Sequence, residues 1–136
     1  MTDVTQAVPW PPLAPAWHKA MQACWLAAVA AVTVLSLTPD VGPPGAYHLD
    51  KLIHATSYMV LALLPAAGFE RRSAALTAAL AMIALGCAIE VAQGFVPPRE
   101  GDIWDALANT IGALTGAALG PRFRRFVRNV TARVTR

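Results

Sequence analysis

Polar residues lie within two apolar stretches of the sequence, on either side of a short polar turn. Glu90 and Gln93 precede the turn, and Asp105 and Asn109 follow it. A loop that only joined two apolar helices would not need them. In a bilayer each such side chain costs free energy, so an ionisable residue within an apolar helix indicates a functional site. The segment 90–109 therefore predicts a membrane protein with a polar site.

A third apolar stretch adds a histidine and further polar residues at helical spacing. Asp50, His54 and Tyr58 follow one another at intervals of four, which places them on one helix face, with Lys51 beside them. A single histidine in an apolar helix is more often a hydrogen-bonded interior residue than a ligand. Whether His54 is functional therefore depends on which side chains lie next to it.

The depth of each residue along its helix shows which side chains can meet. At about 1.5 Å per residue, Glu90 and Asn109 both lie roughly 9 Å from the ends of their helices, and Tyr58 lies at a similar depth. We expect three helices to converge on one outward-facing polar cleft. From the mouth inward we expect Lys51, Arg99 and Asp102, then His54 and Asp105, then Tyr58, Glu90 and Asn109, with Gln93 on the same helix face as Glu90.

The elements that carry these residues are apolar and long. Of the 136 residues, 56% are hydrophobic and 14% are charged, a composition that is rare in a soluble domain of this size. We predict an all-α fold, an integral membrane bundle of four transmembrane helices with no sheet; a soluble all-helical core is the alternative. The four stretches are 21–37, 52–69, 74–96 and 103–119.

Proline, glycine and charge set the predicted boundaries. Residues 1–18 are rich in proline and predict a disordered cytoplasmic tail, 19–120 form the transmembrane domain, and 121–136 form a basic cytoplasmic tail on the anionic inner leaflet. Pro65 is expected to kink the second helix. Gly112, Gly116 and Gly120 form a ridge of small residues that lets another helix approach closely.

The positive charge predicts orientation in the membrane rather than nucleic-acid binding. With four crossings, nine of the eleven Lys and Arg residues lie on the side of the two termini. The positive-inside rule then places both termini in the cytoplasm of a multi-pass protein of the cell membrane. Cys24 and Cys87 form no CxxC pair and indicate no zinc or redox site. The oligomeric state is left open.

A set of motifs runs through the apolar stretches in a fixed order. It comprises Ser36-Leu37-Thr38-Pro39, Asp50-Lys51-x-x-His54-x-x-x-Tyr58, Glu90-x-x-Gln93, Arg99, Asp102, Asp105, Asn109 and Gly112. Over roughly residues 34 to 120 this set resembles the VanZ-like family, small multi-helix membrane proteins named for one associated with low-level resistance to the glycopeptide teicoplanin. The resemblance implies a role in the cell envelope, without a settled reaction.

Three interpretations of the cleft remain open. Lys51 and Arg99 could clamp the phosphate of an anionic lipid or a lipid-linked glycan precursor. The residues could instead form a structural network that fixes helix register, as in a scaffold or regulator. A divalent cation could be held by Asp102, Asp105, Glu90 and His54, which leaves the cofactor open.

We expect an envelope protein whose cleft binds such a lipid or precursor, linked to glycopeptide resistance. If the protein is an enzyme, His54 is the general base or nucleophile, and Glu90 or Asp105 orients it. The remaining residues would then bind the ligand, with Lys51 and Arg99 stabilising phosphoryl charge.

Overall fold

The computed structural model describes residues 10–39, 47–97 and 101–134, and all of their regular structure is helical. Within these ranges there is no strand, so the predicted all-α class is confirmed for the described part of the chain. Four long helices and one short helix follow in order: α1 (Pro15–Leu37), α2 (Tyr47–Leu63), α3 (Pro65–Gly68), α4 (Arg72–Gln93) and α5 (Ile103–Val134).

Two of these helices are long and apolar enough to cross a membrane, judged by length and composition over the described residues: α1 and α4. Their outward surfaces carry large apolar side chains, and Leu26, Val34 and Val91 are each more than half exposed. Such a surface is unfavourable in water and suits lipid. The helices α2 and α5 carry the polar residues and do not pass the same test, so a bundle of four spans remains a proposal.

The break between α2 and α3 arises at Pro65. Proline has no amide hydrogen, and its ring crowds the carbonyl group one turn earlier, so a helix loses a hydrogen bond there and is kinked or interrupted. The amide of Leu64 still bonds to the carbonyl of Val60, and a new turn then begins, with the amides of Ala67 and Gly68 bonded to Leu64. The helix is thus interrupted at Leu64, whose own dihedral angles stay helical (φ −57°, ψ −38°), and the four-residue α3 follows.

Helix α5 packs closely against α2 through its glycines. A Cβ atom added at Gly112 would overlap the carbonyl group of Ala55, and one added at Gly116 would overlap that of Met59. The predicted ridge of small residues therefore has α2 as its partner. Beside this contact, the core is built around Tyr58, Leu61, Ala62, Ala79, Met82 and Ala113.

Both terminal helices extend further than the apolar stretches indicate. Helix α1 begins at Pro15, and α5 continues past Pro121 to Val134. Arg124 is only 1% exposed, and its guanidinium donates hydrogen bonds to the carbonyl groups of Ala66, Phe69 and Pro11 at 2.7 to 2.8 Å. Parts of both segments that were expected to be tails are therefore packed in the bundle.

Candidate functional site

The polar residues meet at the end of the bundle where α2 and α5 begin and α4 ends. Lys51, His54 and Tyr58 come from α2, and Glu90 comes from α4. Asp102 precedes α5, which carries Asp105 and Asn109. The antiparallel packing of α4 with its two neighbours brings these residues to one level. We call this set, together with Asp50, the polar cluster.

Lys51 is held by carboxylates. Its ammonium group donates to Asp102 Oδ2 and Asp105 Oδ1, and Asp50 Oδ2 lies 4.0 Å away. The side chains of Lys51 and Asp105 are 29% and 12% exposed, so water screens these pairs only in part. This arrangement differs from the predicted phosphate clamp, because the single positive charge of the ammonium is already shared between two carboxylates.

Asp102 also caps the start of α5. Its Oδ1 accepts the backbone N–H of Trp104 at 2.8 Å, which satisfies one of the unpaired amides at the helix terminus. The hydrogen bond from Lys51 and this second bond hold the pKa of the Asp102 carboxyl below its usual range. Asp102 therefore fixes the position of Lys51 relative to α5.

Glu90 is buried and accepts hydrogen bonds at both oxygens. Asn109 Nδ2 donates to Oε1 at 3.4 Å, as the common depth of the two residues predicts. The backbone N–H of Asp102 donates to Oε2 at 3.1 Å, a contact that the sequence did not indicate. The hydroxyl of Tyr58, which was placed at a similar depth, is buried and has no hydrogen-bond partner among the described residues.

The hydrogen bonds of Asn109 determine the tautomer of His54. Because the amide nitrogen of Asn109 faces Glu90, its oxygen Oδ1 faces His54 Nδ1, at 3.1 Å. An amide oxygen only accepts, so Nδ1 must carry the hydrogen. In the neutral ring, Nε2 then presents its lone pair and can take a proton or bind a cation.

His54 Nε2 faces two carboxylates. Asp50 Oδ1 lies 3.7 Å from it and Asp105 Oδ2 lies 3.9 Å from it. A cation between these atoms would be stabilised by the two negative oxygens and by the lone pair of Nε2. One ligand atom from each of Asp50, His54 and Asp105 lies within 4.8 Å of the others, and this donor set fits a divalent cation.

The three residues whose ligand atoms converge therefore differ from the set that was predicted for a cation. His54 and Asp105 belong to both, but Asp102 is engaged by Lys51 and Glu90 by amide donors. Asp50 takes their place. Sequence reasoning left Asp50 out of the site, although its spacing of four from His54 was a usable signal.

Two predicted residues do not enter the described cluster. Gln93 Nε2 donates to the carbonyl of Ser36 at 2.9 Å, which ties α4 to the last turn of α1 instead. Arg99 lies outside the described residues.

Gly86 was not predicted, but its lack of a side chain leaves space for the cluster. A Cβ atom at Gly86 would lie 3.0 Å from the Tyr58 ring and 3.1 Å from Asn109.

Comparison with known proteins identifies the family. Residues 12–124 match the family model described as VanZ/LLP1, and the match includes the whole polar cluster. No curated protein and no solved structure matches the chain. Together with the two apolar helices, the match indicates a membrane protein. On the evidence of a match over most of its length, this chain belongs to the VanZ/LLP1 family.

Proposed function

We propose that the protein spans the cell membrane four times and binds, at its polar cluster, the phosphate-bearing headgroup of a lipid or lipid-linked glycan precursor. The observation that carries the proposal is the convergence of Asp50, His54 and Asp105 within 4.8 Å at one end of an apolar bundle. Ionisable groups in such a position are costly and are kept for binding or proton transfer.

Charge balance decides how an anionic headgroup could bind there. Among the described residues, the cluster holds four carboxylates and one ammonium group: Lys51 pairs with Asp50, Asp102 and Asp105, and Glu90 lies 3.9 Å from His54. A phosphate group would be repelled unless more positive charge were present. A divalent cation held by Asp50, His54 and Asp105 would supply it and could bridge to a phosphate oxygen. In this proposal Lys51 holds the carboxylates together, and Arg99 remains a phosphate ligand.

Binding of Mn²⁺ and of a polyprenyl phosphate tests this proposal directly. We expect the purified protein in nanodiscs to bind Mn²⁺, followed by electron paramagnetic resonance, and to bind the polyprenyl phosphate more tightly when Mn²⁺ is present. Asp50→Asn should weaken both by about tenfold or more, as for the loss of one charged ligand. Glu70→Gln removes an exposed carboxylate far from the cluster and should change neither.

The proposal fails if Mn²⁺ does not bind, or if the polyprenyl phosphate binds equally well to the parent and to Asp50→Asn. Native mass spectrometry of the protein as purified gives an independent check, because a co-purifying phosphate-bearing lipid identifies the ligand class.

As an alternative to cation binding, His54 suits proton transfer, because the one free lone pair on Nε2 serves either role but not both at once. Asn109 orients its ring, and Nε2 can accept a proton from a water molecule or a headgroup hydroxyl. If the headgroup is cleaved, His54→Gln should abolish turnover and leave folding intact. In cells, a role in glycopeptide resistance predicts that the same substitution lowers the teicoplanin tolerance conferred by the parent protein.

A non-enzymatic scaffold is the second candidate, and the continuity of the hydrogen bonds favours it. Lys51, Asp102, Glu90, Asn109 and His54 form one connected chain across three helices. Such a network fixes helix register without any ligand. The scaffold predicts that His54→Gln keeps the cellular phenotype wherever expression is normal.

A further inference from the structure

A groove lies at the opposite end of the bundle from the polar cluster. Its cavity volume is about 60 Å³, and it is open on one side, so it is a shallow groove that holds part of a longer chain rather than an enclosed ligand site. Along α5, Gly120 lies fifteen residues after Asp105, which is roughly 22 Å at the rise of a helix. The groove and the polar cluster are therefore separate sites.

Small side chains create this groove. Alanines of α2, α4 and α5 line it, and their short side chains leave the space between the helices unfilled. The main lining residues are Ala62, Ala75, Ala79, Ala117 and Gly120. A water molecule needs several polar partners to be stable in a cavity, and this apolar lining offers few. A hydrocarbon chain needs none, so it fits the groove better than water does.

A positive charge lies at the rim. Arg72 is among the lining residues and is exposed at the start of α4. The first turn of α4 contains no acidic residue, and the residue that caps this helix makes no side-chain hydrogen bond. The unpaired backbone amides at the start of α4 therefore add positive potential beside Arg72. The other arginine nearby, Arg124, already binds three carbonyl groups and lies 4.5 Å from the centre of the Trp10 ring. Arg72 is thus the cation positioned to meet an anion at the groove.

The lateral surface around the groove is apolar. Leu76, which also lines it, is 48% exposed, as expected for a side chain that faces lipid. A ligand that enters from this side comes from the membrane, and it must combine an apolar chain with a negative headgroup.

We propose that this groove binds an acyl chain of an anionic phospholipid, with the phosphate of the lipid at Arg72. The chain would occupy the alanine-lined space, and the headgroup would lie at the membrane surface near the start of α4. This site is independent of the headgroup site proposed above, because it uses other residues and needs no divalent cation.

Native mass spectrometry tests the proposal. The full-length protein is reconstituted in nanodiscs of equal parts phosphatidylglycerol and phosphatidylcholine with chelator present, and the lipids retained after release are counted. We expect a preference for phosphatidylglycerol. Arg72→Gln should lower the retained phosphatidylglycerol about fivefold, the usual effect of one basic residue near an anionic lipid. The matched control, Arg71→Gln, changes an exposed arginine that does not line the groove and should have a smaller effect.

A second pair of variants tests the apolar part. Ala117→Phe fills the groove and should reduce retention of both lipids, whereas Ala118→Phe, exposed on the same helix, should not. Because Arg72 is exposed, Arg72→Gln should fold normally even if Ala117→Phe does not. Equal retention by Arg72→Gln and Arg71→Gln would overturn the proposal. So would a lipid-free dimer that Ala117→Phe disrupts, since the groove would then hold a second copy of the chain.

Discussion

Asn109 is the side chain that connects the two charged halves of the polar cluster. It donates to Glu90 on α4 and accepts from His54 on α2, and it is only 1% exposed. Because an amide has a distinct donor and acceptor, Asn109 assigns the hydrogen of His54 to Nδ1. The common depth of Asn109 and Glu90 could be predicted from residue spacing, but the tautomer depends on a contact between three helices.

Asn109→Leu should destabilise the protein and impair the cluster. The substitution leaves Glu90 without one donor and His54 without its acceptor, and a buried group left unpaired costs about 1 to 3 kcal/mol. The thermal unfolding midpoint in detergent should fall, and Mn²⁺ binding should weaken. Asn129→Leu provides the control, because Asn129 is exposed on the same helix. An unchanged unfolding midpoint for Asn109→Leu would mean that the hydrogen bonds of Asn109 do not stabilise the folded protein.

Asp102 predicts a dependence of stability on pH. Its pKa is lowered in the folded protein by the bonds from Lys51 and the Trp104 amide. The folded state therefore favours the carboxylate, and this contribution is present above the ordinary value of about 3.9 and is lost as the pH falls through the lowered pKa. Asp102→Asn keeps an acceptor for the Trp104 amide but cannot titrate. Its unfolding midpoint should therefore fall less than that of the parent between about pH 5 and pH 3; identical acid profiles would contradict this assignment.

At the scale of elements, the close approach of α5 to α2 positions the residues of the site. Lys51 and His54 lie on α2 and Asp105 and Asn109 on α5, so any change in the separation of the two helices changes their contacts. Gly112 lies within one turn of Asn109 and directly against the backbone of Ala55.

Gly112→Ala should therefore impair both stability and site geometry. The added methyl group would overlap the Ala55 carbonyl, which is backbone and cannot rotate away, and overpacking of this kind costs typically about 1 to 3 kcal/mol. The unfolding midpoint and the affinity for Mn²⁺ should decrease together. Gly94→Ala is the matched control, since a Cβ atom there makes only an ordinary contact, 3.4 Å from the Val91 carbonyl. Equal unfolding midpoints and Mn²⁺ affinities for the two variants would show that neither stability nor the site requires the close approach of α5 to α2.

Hydropathy predicted the helices but not where the bundle ends. The apolar signal stops near residue 119 because arginines follow, whereas α5 continues to Val134. Arg124 is buried because α3 ends at Gly68, which leaves the carbonyl groups of Ala66 and Phe69 available for its guanidinium. Its spacing of four from Gly120 continues the glycine ridge, which was a signal that it faces the bundle. The carbonyl groups that Arg124 binds could not be predicted, because these contacts depend on the tertiary packing.

At the scale of the whole molecule, charge separates the two ends of the bundle. The polar cluster, with its excess of carboxylates, lies at the end where α2 and α5 begin. The opposite end carries Arg71 and Arg72, and the arginines of the last third of α5 follow on that side. The difference in charge between the two ends could be predicted from composition and from the positions of the basic residues. It depends on which side of the membrane each segment lies and not on specific side-chain contacts.

The polarity predicts the topology of the chain. Basic residues near the ends of short spans are retained in the cytoplasm, so the arginine-rich end should face inward and the polar cluster outward. This requires α1, the α2–α3 pair, α4 and the first part of α5 each to cross once. A reporter enzyme that is active only outside the cytoplasm should be inactive when it is fused after Arg136. The same reporter inserted within residues 41–46 should be active. Activity of the fusion after Arg136 would place the terminus outside and would turn the polar cluster toward the cytoplasm or change the number of crossings.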